Sequence, residues 1–192
     1  MESIKQIFRI GNGPSSSHTM GPKRAAEMFL ARNREVDSFR VTLYGSLAAT
    51  GRGHMTDVAI KSVLEPVAPL EIAWKPEVFL DFHPNGMLFE SLKADGSVIQ
   101  AWTVYSVGGG ALASDDLSDP QPEHVYGMST VSEIQQWCDK QGGSYWEYVQ
   151  QCEGDEIWDY LEEVWRVMVD AVHHGLETEG IIRGGLGIRR KA

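Results

Sequence analysis

The sequence has few cysteines, a deficit of basic residues and no long hydrophobic run. Its 192 residues contain two cysteines, Cys138 and Cys152, too few for a disulfide framework or for a zinc or iron–sulfur site made of cysteines alone. Lys and Arg number 17 against 27 Asp and Glu, and the net charge of -10 disfavours nucleic acid as a partner. No stretch approaches the roughly 20 apolar residues of a membrane-spanning helix, and no signal peptide is recognisable. We therefore expect a cytoplasmic protein without a membrane partner.

The first half of the chain mixes helix and strand patterns. A proline at the start of a helix costs nothing, because its missing N–H would be unpaired there anyway, and Pro22 stands at such a position. Alternating apolar and polar residues indicate a half-buried strand, and Asp95-Gly96 is typical of a hairpin turn. The pattern predicts helices at 22–33 and 56–64, strands at 39–44, 87–92 and 97–107, and a weaker strand through Phe79 and Phe82.

The second half is predicted to be helical. Between Glu153 and Glu179 lie nine acidic residues and a single basic one, Arg166, and a solvated helix face explains them better than an acidic docking surface. Both cysteines follow apolar residues by about one helical turn, so we expect them to be small core residues. Three helices are predicted: one capped by Thr130 or Ser132 that runs to about Gln141, one from Ser144 to Cys152, and one that begins at Asp155 and stops at Gly175.

Residues 11–22, the first motif, read Gly-Asn-Gly-Pro-Ser-Ser-Ser-His-Thr-Met-Gly-Pro and lead directly into the first helix. Glycines let the backbone approach a ligand closely, hydroxyls donate hydrogen bonds, and the N–H groups of a helix start attract anions. His18 adds a group that can exchange a proton. The alternative is that Ser15, Ser16, Ser17 and Thr19 only cap the helix. A catalytic triad and a phosphate-binding Walker loop are both disfavoured, because no acidic partner and no Gly-Lys-Ser/Thr are present.

Residues 44–57, the second motif, read Tyr-Gly-Ser-Leu-Ala-Ala-Thr-Gly-Arg-Gly-His-Met-Thr-Asp and again connect a strand to a helix. A lone histidine in a loop is more often structural. Here, however, Arg52, His54 and the N–H groups of the next helix could converge on a carboxylate. With two such motifs in one chain, we predict a shared carboxylate-binding site.

These motifs resemble those of a known family, the N-terminal beta domain of bacterial iron–sulfur-dependent L-serine dehydratase. Gly13 to Pro22 is similar to the first signature of the family, and Tyr44 to Leu47 with Thr50 to Asp57 is similar to the second. The remaining matches follow in the family order over most of the chain: His83-Pro-Asn-Gly-Met87, Tyr105-Ser-Val-Gly-Gly-Gly110 and Thr178-Glu-Gly180.

The resemblance implies a small α+β fold with a mixed four-stranded sheet, of the type shared with the allosteric substrate-binding domain of some phosphoglycerate dehydrogenases, followed by a helical part. It implies a beta domain over 1–182, with the α+β core at about 1–113 and the helical part at about 130–176. Residues 183–192 would begin a linker to an alpha domain outside this chain, with Arg183 where the family is expected to have proline. A homo-oligomer is also expected.

In such an enzyme a [4Fe–4S] cluster, held by the alpha domain, acts as a Lewis acid on the hydroxyl of L-serine while a base removes the α-proton. Aminoacrylate forms and hydrolyses to pyruvate and ammonia. By resemblance this chain holds no metal, supplies two catalytic histidines and is inactive alone. The catalytic residues would be His18 and His54, and the substrate-binding residues Ser15, Ser16, Ser17, Thr19, Arg52, Thr56 and Asp57.

Two other functions are compatible with parts of the sequence. The first is a regulatory module that binds serine or another small carboxylate without catalysis. The second is a helical interaction domain that uses its acidic face, which would concern only the second half and would leave both motifs unexplained.

Overall fold

A computed structural model describes residues 1–114, 124–181 and 188–190. These residues fold as two compact units. One is an α+β unit made of residues 11–114, 179–181 and 188–190, and the other is a helical unit made of residues 1–10 and 124–178. The α+β fold with a helical C-terminal part is therefore confirmed. Within the described residues, no helix is both long enough and apolar enough to cross a membrane.

The α+β unit is built on a mixed sheet of five strands in the order β2-β1-β3-β4-β5. Strand β2 runs parallel to β1, and the other neighbours are antiparallel. Alternation of apolar and polar residues places Val41 and Phe89 in the core, while Arg40 lies opposite Glu71 and Glu90 on neighbouring strands and pairs with both. The strands are β1 (Ser38–Tyr44), β2 (Leu70–Lys75), β3 (Gly86–Leu92), β4 (Val98–Gly108) and β5 (Ala111–Ala113).

Three helices belong to this unit: α1 (Gly21–Arg32), α2 (Gly45–Thr50) and α3 (Thr56–Leu64). Helix α1 lies across the sheet because its Phe29 is buried there, with ring centroids 6.2 Å from Phe39, 5.5 Å from Phe89 and 6.4 Å from Trp102. Helix α3 contributes Ile60 and Leu64 to the same core. The predicted helices at 22–33 and 56–64 and the strands at 39–44, 87–92 and 97–107 are confirmed.

The expected four-stranded sheet has five strands, and one predicted strand is wrong. Phe79 and Phe82 are each 63% exposed and pair with no neighbouring strand in the described part of the sheet. The strand lies earlier, at β2, where a short alternating pattern extends the sheet beside β1. The fifth strand, β5, follows a turn of three glycines with φ angles of 111°, 56° and 76°, which favour residues without a Cβ.

The helical unit contains α4 (Val131–Gln141), α5 (Tyr145–Glu153) and α6 (Glu156–Glu177). Of the two predicted caps of α4, Thr130 is the one that forms, and the helix ends at Gly142 as predicted, with that glycine in the left-handed conformation. Helix α6 does not stop at Gly175 as predicted but continues for two residues, because Gly175 keeps a helical conformation and the chain becomes extended only at Thr178.

The predicted linker falls mostly outside the described residues, as does Arg183. Of that segment the structure describes residues 188–190. There Arg189–Arg190 (β7) pairs with Gly180–Ile181 (β6) in a short antiparallel ribbon.

Candidate functional site

The first motif forms a wide helical turn directly before α1. Residues Ser16–Met20 adopt a π-helix, with Met20 N–H donating to the Ser15 carbonyl and Gly21 N–H to the Ser16 carbonyl. The Ser15 hydroxyl accepts from the backbone N–H of His18 at 3.1 Å, so the capping role weighed for this serine is real. Single π-turns of this kind are frequent at functional sites.

Gly21 allows the turn to lie against strand β4. A Cβ at this position would lie 2.2 Å from Ser106 Oγ and 3.0 Å from Ser106 Cβ, so only glycine fits without a shift. The Ser106 hydroxyl is fully buried and has no hydrogen-bond partner among the described residues. The contact between Gly21 and Ser106 therefore fixes the distance between the first motif and the sheet by close packing.

The second motif contains a helix that the sequence did not predict. Residues 45–50 form α2, and a tight turn from Gly51 to Met55 then leads into α3. Met55 has a φ of 58°, a left-handed conformation that is rare for residues other than glycine and that often occurs at functional sites. This turn brings His54 back over the end of α2.

The ring of His54 is held in one tautomer by the last residue of α2. His54 Nδ1 lies 3.0 Å from the carbonyl oxygen of Thr50. A carbonyl oxygen only accepts hydrogen bonds, so Nδ1 must carry the proton. In the neutral ring the lone pair is then on Nε2, which makes His54 a proton acceptor at that atom.

Two threonines tie the motifs together in a reciprocal way. The Thr19 hydroxyl donates to the carbonyl of His54 at 2.7 Å, and the Thr56 hydroxyl donates to the carbonyl of His18 at 2.5 Å. Both side chains are buried. Each motif thus anchors the histidine of the other one. Thr19 and Thr56 were predicted to bind substrate, and the structure shows both hydroxyls engaged with the backbone.

The two predicted catalytic histidines lie side by side. Their ring centroids are 4.8 Å apart and the rings are tilted by 43°. His18 Nδ1 lies 2.9 Å from Ser17 Oγ, and His18 Nε2 lies 3.1 Å from Ser46 Oγ. Partial burial lowers the pKa of the His18 imidazole, and the neighbouring His54 lowers it further. The structure therefore favours neutral His18.

The other predicted substrate-binding residues are distributed around this pair. Ser16 is exposed at the first turn of the π-helix, and Asp57 lies in the first turn of α3. Arg52 is exposed, with its guanidinium over the ring of Trp74 at 5.1 Å from the centroid. A carboxylate contact by Arg52 stays a prediction.

Ser46 was not predicted as a site residue, although it lies within the second motif. It is placed by the segment before β3, since the backbone N–H of Ser46 donates to the carbonyl of Pro84 at 3.0 Å and that of Gly45 donates to Val78 at 2.9 Å. The available signal was a serine at the end of a strand. Their contact was hidden because Ser46 and His18 are 28 positions apart in the sequence.

The described residues do not fit an iron–sulfur cluster or another metal ion. No group of three or more His, Cys, Asp or Glu side chains in residues 1–114, 124–181 and 188–190 comes together as a metal site. Cys138 is buried in α4, as predicted for a core residue, and Cys152 is partly exposed in α5. A cluster would need ligands beyond those that the described residues bring together.

The helical unit has a cavity of about 530 Å³, and the carboxylate in its wall holds parts of the unit together. The Glu153 carboxylate in its wall accepts hydrogen bonds from Ser3 Oγ at 2.7 Å, Ile4 N–H at 2.8 Å and Tyr126 OH at 2.6 Å. Burial alone would raise the pKa of Glu153, but these hydrogen bonds outweigh it and lower the pKa. The histidine pair is a better candidate site than this cavity, because an imidazole ring can take up and release a proton, whereas the Glu153 carboxylate is engaged in hydrogen bonds.

Comparison with known proteins gives one consistent result. The serine dehydratase beta chain family matches residues 3–75 and 67–117. The chain is 34% identical over 241 positions to an L-serine dehydratase of Streptomyces coelicolor, with 99% of this chain and 53% of the relative covered. It is 31% identical over 238 positions to an L-serine dehydratase of Mycobacterium tuberculosis, with 99% and 52% covered.

A third relative, L-serine dehydratase 2 of Escherichia coli, is 31% identical over 241 positions, with 100% of this chain and 53% of the relative covered. The chain thus spans about half the length of these curated relatives. The alignments are longer than the 192 residues of the chain, so the relatives carry residues within the matched span that this chain lacks. By the extent of these matches, the chain belongs to the serine dehydratase beta chain family.

Proposed function

We propose that this chain is the beta part of an L-serine dehydratase, and that His18 and His54 are its contribution to the chemistry. The observation that carries the proposal is the histidine pair: the ring centroids are 4.8 Å apart, and the backbone carbonyl of each histidine accepts a hydrogen bond from the threonine of the other motif. These hydrogen bonds hold two partly exposed imidazoles in fixed positions, which acid–base catalysis requires.

The reaction requires a base for the α-proton of serine. His54 is suited to this step, since its Nδ1 donates to Thr50 and its Nε2 accepts a proton when the ring is neutral. Removal of the α-proton and departure of the β-hydroxyl give aminoacrylate and water, and hydrolysis then gives pyruvate and ammonia. Activation of the leaving hydroxyl belongs to residues or a cofactor outside this chain, and a [4Fe–4S] cluster held by an alpha domain is the cofactor we expect there.

The decisive test replaces each histidine in the whole enzyme that contains this chain. His18→Ala and His54→Ala are each expected to lower turnover of L-serine on the order of 100-fold, the typical loss for an acid–base group. His173→Ala, an exposed position on α6, is the matched control and should retain activity. If both site variants stay folded and retain near wild-type turnover, His18 and His54 are not catalytic.

A regulatory serine-binding module is the second candidate, because the pair and its hydroxyls are complete within the chain. NMR titration of the isolated chain with L-serine, with D-serine and acetate as comparisons, tests binding directly. We expect amide shifts at 15–19 and 51–57 and a dissociation constant in the millimolar range, about 4 kcal/mol of binding free energy. Arg52→Ala should weaken this binding. Serine binding without any loss of turnover in the histidine variants would favour the regulatory module.

A further inference from the structure

Ser46 touches the imidazole of His18 on the side opposite to Ser17. Both ring nitrogens of His18 therefore face hydroxyl groups, Nδ1 at 2.9 Å from Ser17 and Nε2 at 3.1 Å from Ser46. A hydroxyl can donate or accept, so neither contact alone selects the tautomer of the ring. The tautomer depends on the remaining hydrogen bonds of the two hydroxyls, together with the backbone of Ser46, which also hydrogen-bonds to the ring.

The first motif supplies a direction for these hydrogen bonds. Ser15 Oγ already accepts from the backbone N–H of His18, which leaves its own proton to donate, and Ser17 Oγ lies 3.5 Å away. Ser17 is then free to donate its proton to His18 Nδ1.

The geometry points to Ser46 as a positioning residue that holds His18 in the Nε2-protonated tautomer, at the end of a chain of hydrogen bonds from Ser15 through Ser17 and His18. Ser46 Oγ accepts from His18 Nε2–H and keeps its own proton for a ligand. His54 has the opposite arrangement, since its proton is on Nδ1 and its Nε2 accepts.

This arrangement divides the work between two adjacent rings. Environments that impose different proton positions on neighbouring groups separate an acid from a base. One ring presents an acceptor at Nε2 of His54, and the other supports a donor at the Ser46 hydroxyl. The catalytic meaning of this division rests on the proposed function, but the tautomer itself does not.

The test is carried out on the 192-residue chain labelled with ¹⁵N-histidine. Long-range ¹H–¹⁵N spectra above the titration range distinguish the two neutral tautomers, and His18→Gln identifies the signals of that ring. We expect mostly Nε2–H for His18 and mostly Nδ1–H for His54. Ser46→Ala should lower the ratio of Nε2–H to Nδ1–H at His18 about fivefold, the equivalent of one hydrogen bond of about 1 kcal/mol.

Two variants control for structural effects. Thr50→Val removes a hydroxyl of the same helix that bonds to the Ser46 carbonyl, and it should leave the His18 tautomer unchanged. Ser46→Thr keeps the hydroxyl and should restore the wild-type ratio. A predominant Nδ1–H tautomer in the wild type overturns the inference even if Ser46→Ala fails to fold, and so does an unchanged ratio in a folded Ser46→Ala. Because no turnover is measured, this result is independent of the histidine test of the proposed function.

Discussion

Replacing Thr56 by valine should destabilise the site more than its small chemical change suggests. The Thr56 hydroxyl donates to the carbonyl of His18 at 2.5 Å, and the side chain is 0% exposed. The Thr56 hydroxyl therefore supplies a side-chain donor to a carbonyl within the π-helix Ser16–Met20.

Valine has nearly the shape of threonine, so Thr56→Val mainly removes this hydrogen bond to the His18 carbonyl. We expect a loss of about 1 to 3 kcal/mol in the free energy of unfolding, the usual cost of removing one partner of a buried hydrogen bond. Urea titration followed by the amide signals of β1 and β3 measures the α+β unit separately from the helical one.

Thr50→Val is the matched control, because Thr50 is exposed and its hydroxyl bonds only within its own helix. Its expected effect is within about 0.5 kcal/mol, as for other surface positions. If Thr56→Val and Thr50→Val change the free energy of unfolding equally, the threonine contact does not anchor His18, and the reasoning about the linked motifs fails.

Three further results are expected from unfolding measurements. Gly21→Ala should destabilise the α+β unit by about 1 to 3 kcal/mol despite the better helix propensity of alanine, because the new Cβ would clash with Ser106. Ser106→Gly should partly rescue this variant, and additive losses in the double variant would contradict the clash. Because the pKa of His18 is lowered in the folded state, the unfolded chain binds more protons at pH values below 6.5. The free energy of unfolding should therefore decline as the pH falls through 6.5, and this decline should be smaller in His18→Gln. Glu153→Gln should destabilise the helical unit by about 1 to 3 kcal/mol. Glu162→Gln, which affects one exposed ion pair, should have little effect, and equal losses would refute the role of Glu153.

The sequence predicted most elements whose signals are local. The helices α1, α3 and α4 and the strands β1, β3 and β4 have their apolar spacing within a few residues, and α4 also has a local cap at Thr130. The strand that the sequence missed and the strand that it misplaced depend on distant residues. Strand β2 forms because β1 offers a parallel partner, whereas Phe79 and Phe82 remain exposed although their residue type favours strands.

The sequence by itself determined which residues could carry chemistry, because both motifs combine glycines, hydroxyls and a histidine at the entrance to a helix. Only the tertiary structure decided how these residues act. The contact between His18 and Ser46 and the two threonine hydrogen bonds join residues 28 to 38 positions apart. The tautomer of His54 depends on a turn through Met55 in the left-handed conformation. Hydrogen bonds are specified by distance and angle in space, and a linear pattern contains neither until the sheet and α1 bring the two motifs together.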